Sequence, residues 1–527
     1  MPSIILSTLN ARFIHTSLGL RYLLANLGEL RSRARLCEFT ITRQATEVAD
    51  ELLAVLDELP DDGQAVQIVG FGVYIWNVAQ STEVVRRLRT KRPSICIVLG
   101  GPEVSYEADD QDIVALADHV IAGWGEVSFP ALCRALTRCE VMPKHITGEI
   151  PPLAEIRLPY DEYSDADLAH RLLYVEASRG CPFKCEFCLS ALDTRVQDFA
   201  PERFLEAMQG LYLRGARNFK FVDRTFNLKI AHSLRILQFF LDRLDEAAEL
   251  FVHFEVVPDR LPERLKALID RFPPGVLQFE VGIQSFNPEV QQRISRQQDE
   301  AASVANLCWL LERGKVHVHA DLIFGLPGET LESFAAGFDR LYALQVHEIQ
   351  LGFLKRLRGT PIIRHSAAFG MVYDRAPPYT VLSTAAVDAA TVRRMHGFAH
   401  LWDRLANSGR FKRTLTLLLS EGSPFYAFLA FSRRFWQQRG MDDTASFGLS
   451  RLTPEALVDA LHDDLRAQGW PENIVQEALL DDYRSSGARG SPRSLRGLLS
   501  HQHQTTSTEA TVRLTQRQAR HRDRKTN

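Results

Sequence analysis

Cysteine is scarce in this sequence, with eight among 527 residues. So few thiols cannot staple a chain of this length into a disulfide framework, and ordinary apolar cores must hold it. Neither sign of charge dominates: 62 Lys and Arg stand against 65 Asp and Glu, for a formal net charge of −3. That balance gives no global support for nucleic acid as a partner. No run of roughly 18 apolar residues occurs, so no membrane span is expected. The start, MPSIILSTLNARF, lacks the charged head, apolar run and cleavage site of a secretory signal, and a cytoplasmic location is expected. No fixed-period repeat of the solenoid kind is found. What remains is a chain that is 45% apolar and long enough for about two to four domains.

The pattern divides the chain into consecutive pieces. Residues 1–140 alternate short apolar runs (SIILSTL, VQIVGFGVYI, ICIVLGG, HVIAGWG) with amphipathic stretches such as GLRYLLANLGEL and STEVVRRLRTKR. Strand-then-helix alternation predicts a doubly wound parallel sheet, with the ligand at the carboxyl ends of its strands. The glycine-rich ends GFG, GGPE and GWGE fall there. Residues 141–170, with the prolines of EIPPLAEIRLPYDEY, read as an extended linker. Residues 171–367 hold six further runs (LLYVEAS, NFKFVD, LFVHFEV, VLQFEVGI, VHVHADLIFGL, EIQLGFL), the pattern of a βα barrel or partial barrel. Residues 368–499 are mostly helical and aromatic. Residues 500–527 are polar and basic and are expected to be a disordered tail.

Three of the eight cysteines crowd into ASRGCPFKCEFCLS, at Cys181, Cys185 and Cys188, directly after a strand pattern. Thiolates are the usual ligands of iron–sulfur clusters. Three thiolates leave one iron of a four-iron cluster open, and an open iron can bind a substrate or cofactor. A three-cysteine zinc site or chance spacing is the alternative, although zinc sites more often pair two C-x2-C clusters or add histidines. Cys37, Cys96 and Cys308 are expected to be buried thiols, and Cys133 and Cys139 plain structural residues.

At this loop the chain resembles the radical S-adenosylmethionine (SAM) superfamily. In that superfamily the cluster loop follows the first strand of a partial βα barrel, and SAM chelates the open iron. FKFVDRTFN (219–227), FEVGIQSFNPEVQQRISR (279–296) and ADLIFGLPGET (320–330) resemble its later strands. The resemblance implies a [4Fe–4S] cluster on Cys181, Cys185 and Cys188. It implies SAM contacts at Phe187, Asp223, Glu280, Gln284, Asp321 and Gly325. Asp223, Glu280, Gln284 and Asp321 are polar groups on otherwise apolar strands, and buried carboxylates need partners.

The first piece resembles the cobalamin-binding domain that precedes the barrel in one branch of the superfamily, through GGPEVSYE (100–107) and AGWGEVSFPAL (122–132). The implied cobalamin contacts are Asn10, His15, Gly72, Gly100, Gly101, Pro102, Gly123, Gly125 and Glu126. Many relatives bind cobalt through a histidine in an aspartate-x-histidine-x-x-glycine loop. Here His15 is present, Phe13 takes the aspartate position and Gly19 falls one residue late. The readings left open are His15 as a cobalt ligand, cobalt without a lower protein ligand, His15 as a structural residue, and a domain that has lost cobalamin.

The third piece resembles an uncharacterised C-terminal extension found in a subgroup of these proteins, NSGRF (407–411) being part of the likeness. Its Trp402, Phe425, Tyr426 and Trp436 are expected in helix core, with a substrate pocket as the alternative. The resemblance implies an enzyme that cleaves SAM to a 5′-deoxyadenosyl radical and methylates an unactivated carbon of a small molecule, drawing electrons from a flavodoxin or ferredoxin. The alternatives are oxidative cyclisation or rearrangement of a tetrapyrrole or natural product, and, in another class, a corrinoid or redox sensor.

Overall fold

The structure is a computed structural model that describes residues 2–60, 66–244, 250–441 and 452–499. The expected disordered tail, 500–527, lies outside the described residues. The chain divides into two compact units: 1–254 with 355–363 and 374–380, and 255–354 with 364–373 and 381–527.

The first unit opens with β1 (Ser3–Asn10), β2 (Ala34–Thr40), β3 (Gln67–Gly72), β4 (Cys96–Gly100), β5 (His119–Ala122) and β6 (His145–Thr147). They form one parallel sheet in the order β2-β1-β3-β4-β5-β6. Alternation along β1 explains why both faces are covered. Ile5 and Leu9 join a core with Val69, Ile97, Val48, Leu52 and Leu88. Ile4 and Leu6 face the other way and join Ile68, Val98, Leu20, Leu24 and Phe129. Helices 45–58 and 78–91 cover the first face, and helices 18–25 and 128–137 the second.

The stretch read as an extended linker carries regular structure. It supplies β6, the sheet's outer strand, and a helix at Asp165–His170 capped by a Ser164–Asp167 capping box. It is also tied to the sheet by charge. Buried Arg21 pairs with Glu38 at 2.8 Å and Asp167 at 2.9 Å, and Arg171 pairs with the same two carboxylates at 2.7 and 3.0 Å.

Next come β7 (Leu173–Val175), the short antiparallel pair β8 (Ser178–Arg179) and β9 (Gln197–Asp198), and then β10 (Asn218–Phe221) and β11 (Phe251–Val256). β10 pairs in parallel with β7 and with β11. Phe219, Phe221, Phe240 and Phe254 pack behind them, all fully buried.

The second unit holds β12 (Leu277–Gln284), β13 (Val316–Phe324) and β14 (Glu348–Phe353), again parallel, with helices 300–313 and 331–343 between them. Among the described residues, five α-helices follow, at 389–405, 412–418, 424–438, 454–467 and 472–485. Trp402, Phe425 and Trp436 are buried in their core, as expected, whereas Tyr426 is exposed. Asn407, from the NSGRF stretch, docks on β14: its side chain accepts from the Ile349 N–H at 3.0 Å and donates to the Ile349 carbonyl at 3.0 Å. None of the eight cysteines is in a disulfide bond. Cys96 and Cys133 are buried, Cys37 and Cys308 only partly, and Cys139 is exposed. No helix among the described residues is long and apolar enough to cross a membrane.

Candidate functional site

The cysteine loop leaves the sheet through β8 and returns through β9. Its turns are closed by backbone bonds: Cys181 donates to the Asp193 carbonyl at 3.2 Å, and Cys188 donates to the Cys185 carbonyl at 3.0 Å. Gly180 makes the entry possible. It has φ +88°, and a Cβ there would lie 1.8 Å from the Arg195 carbonyl oxygen, so only glycine passes. Cys181 and Cys185 are buried and Cys188 is half-buried. Burial pushes the Cys181 thiol up, and the neighbouring Cys188 and Cys185 add to the rise. A bound cation inverts that balance, because thiols ligate metal as thiolates.

Asp223 stands at the root of this loop. Its carboxylate accepts from the Ala177 N–H at 2.9 Å and the Ser178 hydroxyl at 2.6 Å. Those bonds favour the charged form, yet burial outweighs them and lifts the Asp223 carboxyl to about 7. Phe187 is half-buried, and the carbonyl of its neighbour Glu186 accepts from the Ile362 N–H at 3.1 Å.

The glycine-rich strand ends of the first sheet line a groove of about 270 Å³. Gly72, Gly100, Gly101, Gly123, Gly125 and Glu126 all contribute to its wall, with Tyr74, Trp124 and Arg179. Two of these glycines are required for different reasons. Gly101 has φ +111°, and a Cβ there would meet the Val73 carbonyl oxygen at 2.5 Å. Gly123 has φ +89°, and a Cβ there would meet nothing within 4 Å. At Gly123 the backbone itself forms the wall, leaving room that a side chain would take.

Arg179 joins groove and cysteine loop, and sequence reasoning missed it. It lines the groove, it lies two residues before Cys181, and its Nη1 is 2.6 Å from Glu126. Its Nη2 is 2.7 Å from Glu176, and its guanidinium lies over Tyr22 and Trp124, at 4.5 and 4.6 Å from the ring centres. Burial works against the guanidinium's charge, and the carboxylates of Glu176 and Glu126 outweigh it, holding its pKa above the ordinary arginine range. The available signal was an arginine three residues after a glutamate at the end of an apolar strand.

Three further residues that the resemblance assigns to cobalamin flank this groove in sequence or structure without lining it. Asn10, His15 and Pro102 are not part of the groove's lining. Asn10 donates to the His15 carbonyl and to Glu38, both at 3.0 Å. His15 has its Nδ1 2.8 Å from the Tyr174 hydroxyl, and burial lowers its pKa.

In the second unit, Glu280 and Gln284 on β12 share one face of that strand, and Asp321 on β13 is in register with Gly282. All three are half-buried. Gln284 sits at a register shift with φ +70°. Gly325 begins the turn after β13 with φ +86°, and a Cβ there would lie 2.6 Å from Val381 Cγ1. Glu329 closes this turn. The Ser285 hydroxyl donates to it, and burial lifts its carboxyl to about 7.

Comparison with known proteins agrees with this arrangement. Residues 5–133 match the B12 binding domain, 175–341 the radical SAM superfamily, and 367–522 a protein of unknown function, DUF4080. The chain is 24% identical over 333 residues to the cobalamin-dependent radical SAM methyltransferase TokK of Streptomyces tokunonensis, covering 56% of this chain and 48% of that protein. It is 25% identical over 331 residues to the uncharacterized methyltransferase PH0819 of Pyrococcus horikoshii, covering 57% of this chain and 69% of that protein. This chain thus spans about half the length of TokK. Among solved structures, it resembles the cobalamin-dependent SAM radical enzyme OxsB with a TM-score of 0.59 and 13% identity, over 92% of this chain and 81% of that one. It resembles the radical SAM methyltransferase TsrM of Kitasatospora setae with a TM-score of 0.57 and 16% identity, over 72% of this chain and 78% of that one. One chain thus carries, in order, a B12 binding domain, a radical SAM domain that includes the cysteine loop, and a DUF4080 extension.

Proposed function

We propose that this chain is a cobalamin-dependent radical SAM enzyme that methylates an unactivated carbon of a small molecule. The observation that carries the reading is the Arg179–Glu126 pair at 2.6 Å. It fastens the wall of a glycine-lined groove to the strand that enters a three-thiol loop.

The residues present fit the implied cofactors. Cys181, Cys185 and Cys188 offer three sulfur donors, the set that holds a cluster with one open iron. Gly72, Gly100, Gly101, Gly123 and Gly125 form a wall of bare backbone against which a large flat ring can lie. Phe187 and Asp223 are proposed SAM contacts beside the cysteine loop, and Glu280, Gln284, Asp321 and Gly325 carry the same assignment on the family resemblance alone. When bound, the cluster and SAM supply one-electron cleavage of a sulfonium, and cobalamin supplies a methyl carrier.

The chain's own residues prepare the site. Cys181 and Cys185 are buried, which limits the water that reaches the loop. Asp223 fixes the strand end that feeds the loop through its bonds to Ala177 and Ser178. Arg179 places a half-buried positive charge at the groove's edge while Glu126 and Glu176 hold it still. The small-molecule substrate is unassigned, and a one-electron donor of the flavodoxin or ferredoxin class completes the scheme. Eight cysteines without a disulfide suit a reducing compartment such as the cytoplasm. The domain limits of this reading are 1–140, 171–367 and 368–499.

The experiment is anaerobic turnover with methyl-labelled SAM, reductant and cobalamin against an extract of candidate small molecules. Label entering a carbon of a product supports the reading. SAM cleavage with unlabelled product replaces it with cyclisation or rearrangement, and no SAM cleavage by a reconstituted protein removes it.

A further inference from the structure

The stretch VHVHADLIF places two histidines two residues apart on β13, so they share one face of the strand. That face is polar across three strands. In register, His317 stands beside Gln278 of β12, and His319 stands beside Glu348 of β14. His317 Nε2 is 3.0 Å from Glu348 Oε1, and His319 Nε2 is 3.1 Å from the same oxygen. The three ligand atoms all lie within 4.8 Å of one another. His317 and Glu348 have 5% of their side-chain surface exposed and His319 has 16%, so the group is largely closed to water.

We infer that His317, His319 and Glu348 form a binding site for a divalent first-row transition cation, with zinc the natural occupant. Two neutral imidazoles and one carboxylate are the donor set of several three-ligand zinc sites, and imidazole suits this class of metals. The competing role is a hydrogen-bonded triad in which both imidazoles donate to one carboxylate oxygen. Gln278 is compatible with either role: its Nε2 lies 3.2 Å from His319 Nδ1 and 3.1 Å from His319 Nε2. In the triad it donates to Nδ1 while Nε2 donates to Glu348; with a cation at the centre His319 gives its Nε2 lone pair to the metal, and the Gln278 amide, turned about its last bond, offers its oxygen as a fourth donor. The convergence of three ligand atoms in a largely closed pocket is what points to the cation. A further histidine packs behind the group. His347 accepts from the Val318 N–H at 3.1 Å through Nδ1, and its ring lies 4.8 Å from that of His317.

The location defines the role. His317 is the second residue of β13 and Glu348 the first of β14, so the group sits at the strands' amino ends, away from the Gly325 turn at the opposite end of β13. In βα folds chemistry gathers at the carboxyl ends, and the amino ends serve stability. The site is therefore a structural clamp across β12, β13 and β14, independent of the proposed reaction.

The test is the metal content of the full-length protein, measured by mass spectrometry after anaerobic purification and dialysis. It is run on the wild type and on a Cys181→Ala/Cys185→Ala/Cys188→Ala variant, so that zinc on the cysteine loop is not counted. One zinc per chain in both, and a rise of about 5 °C in melting temperature when zinc is added to chelator-treated protein, is the expected result. His317→Ala/His319→Ala should lose the metal and the shift. Glu348→Gln, which keeps the shape of the side chain, should weaken zinc binding by about tenfold or more. Wild-type protein that holds less than about a tenth of a zinc per chain and does not respond to added zinc would overturn the inference. So would full zinc occupancy in Glu348→Gln and in the double histidine variant.

Discussion

Arg179 Nη1 lies 2.6 Å from Glu126 Oε1, across 53 residues of sequence. Glu126 is buried and Arg179 largely so, and the pair ties the GWGE turn of the first sheet to the strand entering the cysteine loop. Glu126→Gln keeps the shape and removes the charge. Glu176 still partners Arg179, so the expected loss of stability is modest, about 1–3 kcal/mol. Denaturant titration measures that loss, and the corrin absorbance of reconstituted protein should fall by half or more while iron content stays. Equal loss of both would show that the pair supports the fold alone.

Gly180 and Gly101 test the backbone geometry. A Cβ at Gly180 would lie 1.8 Å from the Arg195 carbonyl oxygen. Gly180→Ala should therefore displace the loop, and iron per chain should drop from about four to below one with corrin binding retained. Gly101→Ala should act on the other side, lowering corrin binding and costing about 1–3 kcal/mol from the forced backbone conformation. Iron and corrin assays on the two variants separate the effects.

At Gly123 a Cβ would meet nothing within 4 Å. The cost to the fold is then only the left-handed conformation, about 1–2 kcal/mol, and the added methyl enters the groove. Gly123→Ala should leave the melting curve within a few degrees of wild type while weakening cobalamin binding about tenfold, read by spectral titration.

Asp223 makes stability depend on pH in a defined direction. Burial raises its carboxyl to about 7, above the ordinary value of 3.8. Between these values the folded chain holds a proton that the unfolded chain releases, so this group's contribution is complete below about 4 and is lost as pH rises through 7. Asp223→Asn has no such proton to lose. The melting temperature of the cluster-free variant, minus that of the wild type, should rise steadily from pH 5 to pH 8. A flat difference would show that Asp223 titrates as an ordinary carboxylate.

His15 is a discriminating residue because the family resemblance offers it as a cobalt ligand. Its Nδ1 meets the Tyr174 hydroxyl at 2.8 Å, and it does not line the groove. His15→Ala should leave the absorption spectrum of bound cobalamin unchanged. A shift in that spectrum would make His15 a cobalt ligand.

Much of this arrangement was legible in the residues, and the omissions have physical reasons. The buried strands β1, β3, β4 and β5 read clearly because they are apolar on both faces. Both edge strands were passed over. β2 carries Arg35 and Glu38, and β6 is only three residues long, because an outer strand has one neighbour and needs less apolar surface. The three cysteines and the GGPE and GWGE turns stood out because their spacing is local. The Arg179–Glu126 pair and the His317–His319–Glu348 group did not, since each is completed by residues from distant strands. The 141–170 stretch looked like a tether because of its prolines, yet Asp167 anchors it through Arg21.

The most direct test of the central claim is electron paramagnetic resonance of the reduced, reconstituted protein with and without SAM. If Cys181, Cys185 and Cys188 leave one iron open, adding SAM changes the cluster spectrum, and Cys185→Ala abolishes both the signal and SAM cleavage. A wild-type cluster spectrum that ignores SAM, or undiminished SAM cleavage in Cys185→Ala, would contradict it.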